Sequence, residues 1–443
     1  MQRWLTAMLT WMAVGGLLAT GAHANIELKV ARFFDPCIEG NIRIEQASGE
    51  ACIIQALLHA FSAEDNGITI DLLPPNRDNY YPKLITAYAE GRPPDVHLLH
   101  HHRLPDFASA GLLAPLDDDL AAAGVDVADW EDAARDAATF NGRIVALPFD
   151  LHANLWHVNP ALMKEAGLIG RDGRPLLPRS PGELLEHAKI VKETTGKDYL
   201  AADFMQYPIG VRAVLSLLWQ QGANIFDGDR AMVNTPEMRA AITSFTDLFD
   251  AGYANPRDDY ETAQQAFLDG EVAVLINGTW AVDLYDREVS RGDIALTEYD
   301  VADFPTLFER PATWADSHLW AVPETLRTQK PEAFKAAMQL LAWIDAHSLD
   351  WARTGHLAAR RSVLESDAYA TLPHRLDYRR SVEIGDDLPA TSGYDDIHEV
   401  MAACMRSIWA DHVPLDTALA RAEAEIKHLL PQSLSTTEVA AGR

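Results

Sequence analysis

Ile26, Leu28 and Val30 alternate with polar residues, the two-residue period of a strand with one buried face. Apolar positions then take helical spacing at Ile53, Leu57, Leu58 and Phe61, and return to alternation at Ile68, Ile70 and Leu72. A helical stretch near Tyr81 to Ala89 follows, and then an apolar strand at Val96 to Leu99. The predicted order, βαβαβ, opens an α/β fold with a parallel sheet. Such sheets bind ligands beyond the carboxyl ends of their strands, here the loops Phe33-Phe34-Asp35 and His100 to Arg103.

Further along, Asn141-Gly142 predicts a tight turn into the apolar strand that ends at Pro148. Helix signatures follow at Pro181 to Glu193, at Thr235 to Phe249 with Pro236 in the first helical position, and at Pro331 to Ala346. Ile397, Val400, Met401, Cys404 and Ile408 also have helical spacing, which makes Cys404 a buried, inert thiol. The Gly-, Pro- and Arg-rich run from Gly167 to Ser180 reads as an exposed connection. Residues 436–443 are expected to form a flexible tail.

The amino terminus adds a compartment. Arg3 precedes an apolar run from Leu5 to Ala19, and Ala22-His23-Ala24 fits the small-x-small rule for signal-peptidase cleavage. Residues 1–24 are therefore expected to be a signal peptide, with no cysteine at the cleavage point to take a lipid. An anchoring helix would need about 20 apolar residues with different flanks. Export to an oxidising space makes a disulfide feasible, and Cys37 with Cys52 is the natural pair. Closing so short a loop restrains the unfolded chain by roughly 3 kcal/mol.

At 443 residues the chain exceeds what one core usually organises, so two lobes are expected. A formal net charge of −28 argues against nucleic acid or anionic lipid as a partner. No nucleophile elbow, phosphate loop or His-Glu-x-x-His metal motif occurs, and no cofactor is implied.

Four segments carry a family resemblance. Tyr81-Pro-Lys-Leu to Pro94-Asp-Val, Asn141-Gly142 to Asp150, Phe267-x-x-Gly270 to Asn277-Gly-Thr-Trp280, and Trp351 to Arg361 stand in one order along the chain. Together they resemble the extracellular solute-binding proteins of carbohydrate ABC importers, the relatives of maltose-binding protein. The last segment has Ala358 or Ala359 where the family has proline.

The resemblance implies a two-lobed periplasmic binding protein fold, with hinge strands and a ligand cleft between the lobes. Crossing segments would fall near Ala146 to Asp150, near Tyr299 to Pro305 and after Leu372. That gives a discontinuous first lobe, 25–147 with 304–372, and a second, 148–303 with 373–435. The implied protein is a monomeric periplasmic receptor, not an enzyme, that delivers a di- or oligosaccharide to an inner-membrane permease.

Sugar recognition needs aromatic faces for pyranose C–H surfaces, and polar groups that serve hydroxyls. By motif position Trp280 is the stacking residue, with Trp314 and Trp156 as further platforms and Tyr394 as another aromatic candidate. Asp150, Asp316, His318 and His100 would read hydroxyls, joined by Asp35, Asn277, Gly355, His356 and Arg361. Two other functions have sequence features of their own: metal capture by His97, His100, His101 and His102, and glycoside hydrolysis by a carboxylate pair.

Overall fold

The computed structural model describes residues 25–64, 66–75, 79–206, 209–388 and 391–430. The expected signal peptide and the 436–443 tail lie outside the described residues.

The opening elements sit where the apolar period puts them: β1 (Ile26–Ala31), α1 (Gly49–Ala63), β2 (Ile68–Leu72), α2 (Tyr80–Ala89) and β3 (Val96–His100). β1 pairs in parallel with both β2 and β3. Two later strands complete this sheet antiparallel: β4 (Ala146–Pro148) and β10 (His318–Ala321), in the order β2-β1-β3-β10-β4. The Asn141-Gly142 turn forms as expected, both residues at positive φ, between Thr139–Phe140 and Arg143–Ile144.

A second sheet is organised by β5 (Asp150–Val158), whose nine residues are all buried. Its first half pairs with β11 (Leu357–Ala358) and β9 (Thr313–Asp316). Its second half lies between β7 (Val272–Gly278) and β8 (Asp300–Asp303). Edge strands β6 (Asp198–Ala201) and β12 (Gly385–Asp386) pair with β7 and β9. Helices α3 (Ile209–Trp219) and α5 (Tyr394–Trp409) pack in the core of this lobe, and α4 (Pro331–Ala346) in that of the first.

Among the described residues three segments pass between the sheets: 352–356, leading from Trp351 in the first core to β11, and two single residues. Phe149 separates β4 from β5, and Ser317 separates β9 from β10. The links hydrogen-bond each other: the Phe149 N–H donates to the His318 carbonyl at 2.7 Å, and the Ser317 hydroxyl donates to the Asp150 carbonyl at 2.6 Å. The Ser317 link lies later than Tyr299 to Pro305, because β8 and β9 both pair with β5, and Phe304, Leu307, Ala312 and Trp314 pack in the second lobe's core.

Cys37 and Cys52 form the expected disulfide, tying the loop after β1 to the first turns of α1. Cys404 is free and buried, its thiol pushed up to about 12 by burial and by Glu425. Among the described residues no helix is long and apolar enough to cross a membrane.

Candidate functional site

A cavity of about 320 Å³ opens between the sheets. The first lobe contributes Phe33 and Phe34 from the loop after β1, Glu50 from α1, Tyr80 and Tyr81 from the start of α2, His100 from the end of β3, and His318. The second contributes His152 from β5, Arg212 from α3 and Trp280 from the turn after β7. The wall therefore gathers at the carboxyl ends of β1 and β3, as the βαβαβ pattern predicts.

Its side chains are held by short, local contacts. Arg32 donates to the Phe34 carbonyl, fixing the loop that presents both phenyl rings. The Phe33 ring stacks on His100, centroids 4.4 Å apart and planes within 11°. Tyr81 Oη accepts the His100 backbone N–H at 3.0 Å and shares a 2.7 Å bond with its Nδ1. With the hydroxyl donating to Nδ1, Nε2 carries the ring hydrogen and can donate into the cavity. Burial, then the neighbouring His318 and His102, hold His100 well below its ordinary value, so it is neutral.

Trp280 is half-buried and donates its indole N–H to Tyr260 at 3.1 Å. The ring folds back over Gly278, where an added Cβ would fall 2.0 Å from it. Asn277 turns inward: its amide donates to Tyr285 at 2.9 Å, and its oxygen accepts the Gly278 N–H at 2.8 Å. It shapes the turn that carries Trp280 and does not line the cavity. Gly355, at φ +112°, lies against the same turn, where a Cβ would stand 2.0 Å from the Thr279 carbonyl.

Other expected contacts lie elsewhere. Trp156 is only 1% exposed, edge-on to Phe304 in the second lobe's core, because its place on β5 faces that core. Trp314 is fully buried, with the Arg212 guanidinium 3.4 Å over its ring, so Arg212 stands between it and the cavity. Arg361 lies outside the cavity wall, 3.7 Å from both Glu131 and Asp132. Asp35 is exposed and does not line the cavity.

Asp150 has no free oxygen. Oδ1 accepts from His152 Nδ1 at 3.0 Å and from the His318 N–H at 3.2 Å; Oδ2 accepts from His318 Nδ1 at 2.7 Å and Trp351 Nε1 at 2.6 Å. Burial opposes its charge, yet the His318 and His356 imidazoles hold it well below the usual carboxylate range. The same pairing raises His318 above its ordinary value despite burial. His356 is wholly buried behind these groups, stacked on Trp351 and bonded through Nδ1 to Thr354 at 2.7 Å.

Asp316 and Tyr394 belong to a neighbouring acid–imidazole group. His102 Nδ1 bonds Asp316 at 2.6 Å, its Nε2 lies 3.3 Å from Asp395, and its ring stacks on Tyr394. Burial lowers His102, but Asp316 and Asp395 lift it to about 9. Tyr394 donates to Asp387 at 2.9 Å, and Asp387 is raised by burial and by the Asp316 charge.

The four-histidine cluster does not assemble as a metal site. His97 is buried against Tyr88, His100 is engaged by Tyr81 and Phe33, and His101 and His102 turn to Asp316. The strand ends at His100, so alternation stops there and each ring takes a separate partner.

Phe33 and Phe34 stand in the loop after β1 to which the sheet pattern points, whereas Glu50 and Tyr80 line the cavity without a sequence signal. Arg212 carries no local signal.

Several known proteins are similar to this chain. A putative binding protein of Brucella abortus is 20% identical over 452 residues, covering 97% of this chain and 99% of that one. A maltotriose-binding protein of Pyrococcus abyssi is 27% identical over 207 residues, 45% of this chain; the chain spans 40% of that relative's length. The GacH receptor of Streptomyces glaucescens, solved unliganded and with acarbose, superposes with a TM-score of 0.75 at 21% identity. The superposition covers 91% of this chain and 98% of that receptor, which establishes the two-lobed periplasmic binding protein fold. The family of bacterial extracellular solute-binding proteins matches residues 56–376, most of the chain, and this protein belongs to it.

Proposed function

We propose that the protein is a periplasmic receptor that captures a di- or oligosaccharide between its lobes and delivers it to the permease of an ABC importer. The observation that carries this is the cavity wall, where Phe33, Phe34, Tyr81 and Trp280 are interleaved with Glu50, His100, His152, Arg212 and His318. A pyranose has the complementary surface: apolar C–H faces for the rings, and hydroxyls that both donate and accept for the polar groups. At about 320 Å³ the cavity sits at the small end of ligand clefts, roughly 300–1,000 Å³, which favours a short sugar. The sugar-related names of the Pyrococcus and Streptomyces proteins support the same ligand class.

In this reading Trp280 stacks on the sugar, while His100, His152, Arg212 and His318 serve hydroxyls. The first lobe comprises residues 25–148 and 318–351, and the second 150–316 and 357–430, since β11 pairs with β5. The signal peptide, 1–24, directs export, and the mature protein works as a free monomer that transforms nothing. Closure about the links at Phe149 and Ser317 signals occupancy to the permease.

The test is a calorimetric titration of the mature protein, Asn25 onward, against di- and oligosaccharides, with product analysis of the mixture. Micromolar or tighter binding of one sugar, recovered intact, supports the receptor. Silence across the panel, or conversion of the sugar, overturns it.

A further inference from the structure

Beneath the cavity, Asp150, His152, His318 and His356 bring one donor atom each within 4.8 Å of one another. All four are buried: Asp150 and His356 are 0% exposed, His152 3% and His318 4%. The pairs on Asp150 measure 3.0 Å to His152 Nδ1, 2.7 Å to His318 Nδ1 and 4.0 Å to His356 Nε2. Ligands of a tetrahedral ion at about 2.0–2.2 Å stand roughly 3.3–3.5 Å apart, so small side-chain shifts would satisfy it. His356 Nε2 supplies a second, independent observation: it is buried without a hydrogen bond, aimed at this group, 4.0 Å from Asp150 and 3.4 Å from Glu50 Oε1.

We propose that Asp150, His152, His318 and His356 form a tetrahedral site for a divalent first-row transition-metal ion, of the class typified by zinc, across the two strands that join the lobes. Three imidazoles and a carboxylate are a donor set such ions favour over magnesium or calcium. The supporting contacts are in place. Thr354 Oγ1 donates to the Trp351 carbonyl and so accepts the His356 Nδ1–H, which leaves Nε2 with its lone pair. Trp351 Nε1 orients the Asp150 carboxylate from outside the group. His152 and His318 would present Nδ1 to the ion with the ring hydrogen on Nε2, a tautomer shift within each neutral ring.

The site differs from the run His97 to His102, which splits among separate partners. It goes beyond the sugar reading but shares His152 and His318 with it, so it is tested without sugar. Asp150 and His152 lie at the start of β5, and His318 at the start of β10. A bound ion therefore ties one crossing strand to the other.

Chelator-treated mature protein is titrated with zinc alone, and with cobalt for its tetrahedral visible bands. The expected result is one ion per chain with micromolar or tighter affinity and tetrahedral cobalt absorption. His356→Gln, checked for native circular dichroism, is expected to lose about 100-fold in affinity, and Thr354→Val about 10-fold. Should His356→Gln unfold, Thr354→Val carries the test. Two other acid–histidine groups, His101 with Asp316 and Asp387 and His374 with Asp300 and Asp377, provide the controls. Absence of binding, or binding lost in His101→Ala or His374→Ala but retained in both His356→Gln and Thr354→Val, overturns the proposal.

Discussion

Three tryptophans distinguish a ring that touches solute from one that only fills space. Trp280 is half-buried on the cavity wall, whereas Trp314 and Trp156 are sealed in the second lobe. Trp280→Ala is expected to weaken sugar binding by about 2–4 kcal/mol with little change in melting temperature. Trp314→Ala should cost about 3–5 kcal/mol of stability through the cavity it leaves. Calorimetric titration and urea unfolding of both variants check this; the reverse assignment would put Trp314 in the site. His102 sets an alkaline limit on stability. Its folded value, about 9, lies above the ordinary 6.5, so its contribution is complete below about pH 6.5 and is lost as pH rises through about 9. His97, His157 and His398 act oppositely: burial holds them near 3, so their neutral burial costs stability as pH falls below about 6.5. Urea midpoints are expected to fall on both sides of that pH, and His102→Gln should flatten the alkaline side alone.

Elements with one buried face were legible, because burial of one face leaves a period in the sequence. β1, α1, β2 and α2 were readable in this way, as was α4 with Pro331 at its first position, while β3, buried on both faces, was legible as an apolar run. β5 was not: Asp150 to Leu155 alternates polar and apolar, but the phase slips at Leu155-Trp156 and all nine residues are buried, so the alternation marks no solvent face. That one strand explains why Trp156 and Asp150 were expected in the cleft. The stretch from Tyr299 to Pro305 misled for a related reason, as β8 joins the second sheet through pairing with β5, a long-range contact that no local pattern records. Trp280 was found by motif position; Arg212 reaches the cavity only through the packing of α3. The turn after β7 also depends on a distant residue. Gly355→Ala would set a Cβ against the Thr279 carbonyl at a positive φ, so the loss should be about 1–3 kcal/mol, with Trp280 displaced. Urea unfolding, together with titration of the same sugar, should show both losses; intact affinity would mean that the Trp280 turn tolerates the shift.

At the scale of the whole molecule, contacts between the lobes set how easily the cavity opens. Arg103, after β3, lies 3.0 Å from Asp395 at the start of α5, and His102 Nε2 lies 3.3 Å from the same carboxylate. Gly393 N–H also donates to Asp106 at 3.3 Å, so one short stretch of the second lobe is clasped by the turn that follows β3. Asp395 is half exposed, which limits the ion pair to about 1 kcal/mol or less. An energy of that size is small against the stability of either lobe, yet it shifts an equilibrium between two lobe arrangements about fivefold. Asp395→Asn keeps the side-chain volume and removes the charge. Without solute, small-angle scattering of this variant should give a larger radius of gyration than the parent. Sugar affinity should fall by no more than about fivefold, with melting temperature nearly unchanged, because the two lobe cores are untouched. An unchanged radius would mean that the clasp holds only local structure, and that the lobe arrangement is fixed instead by the paired links at Phe149 and Ser317.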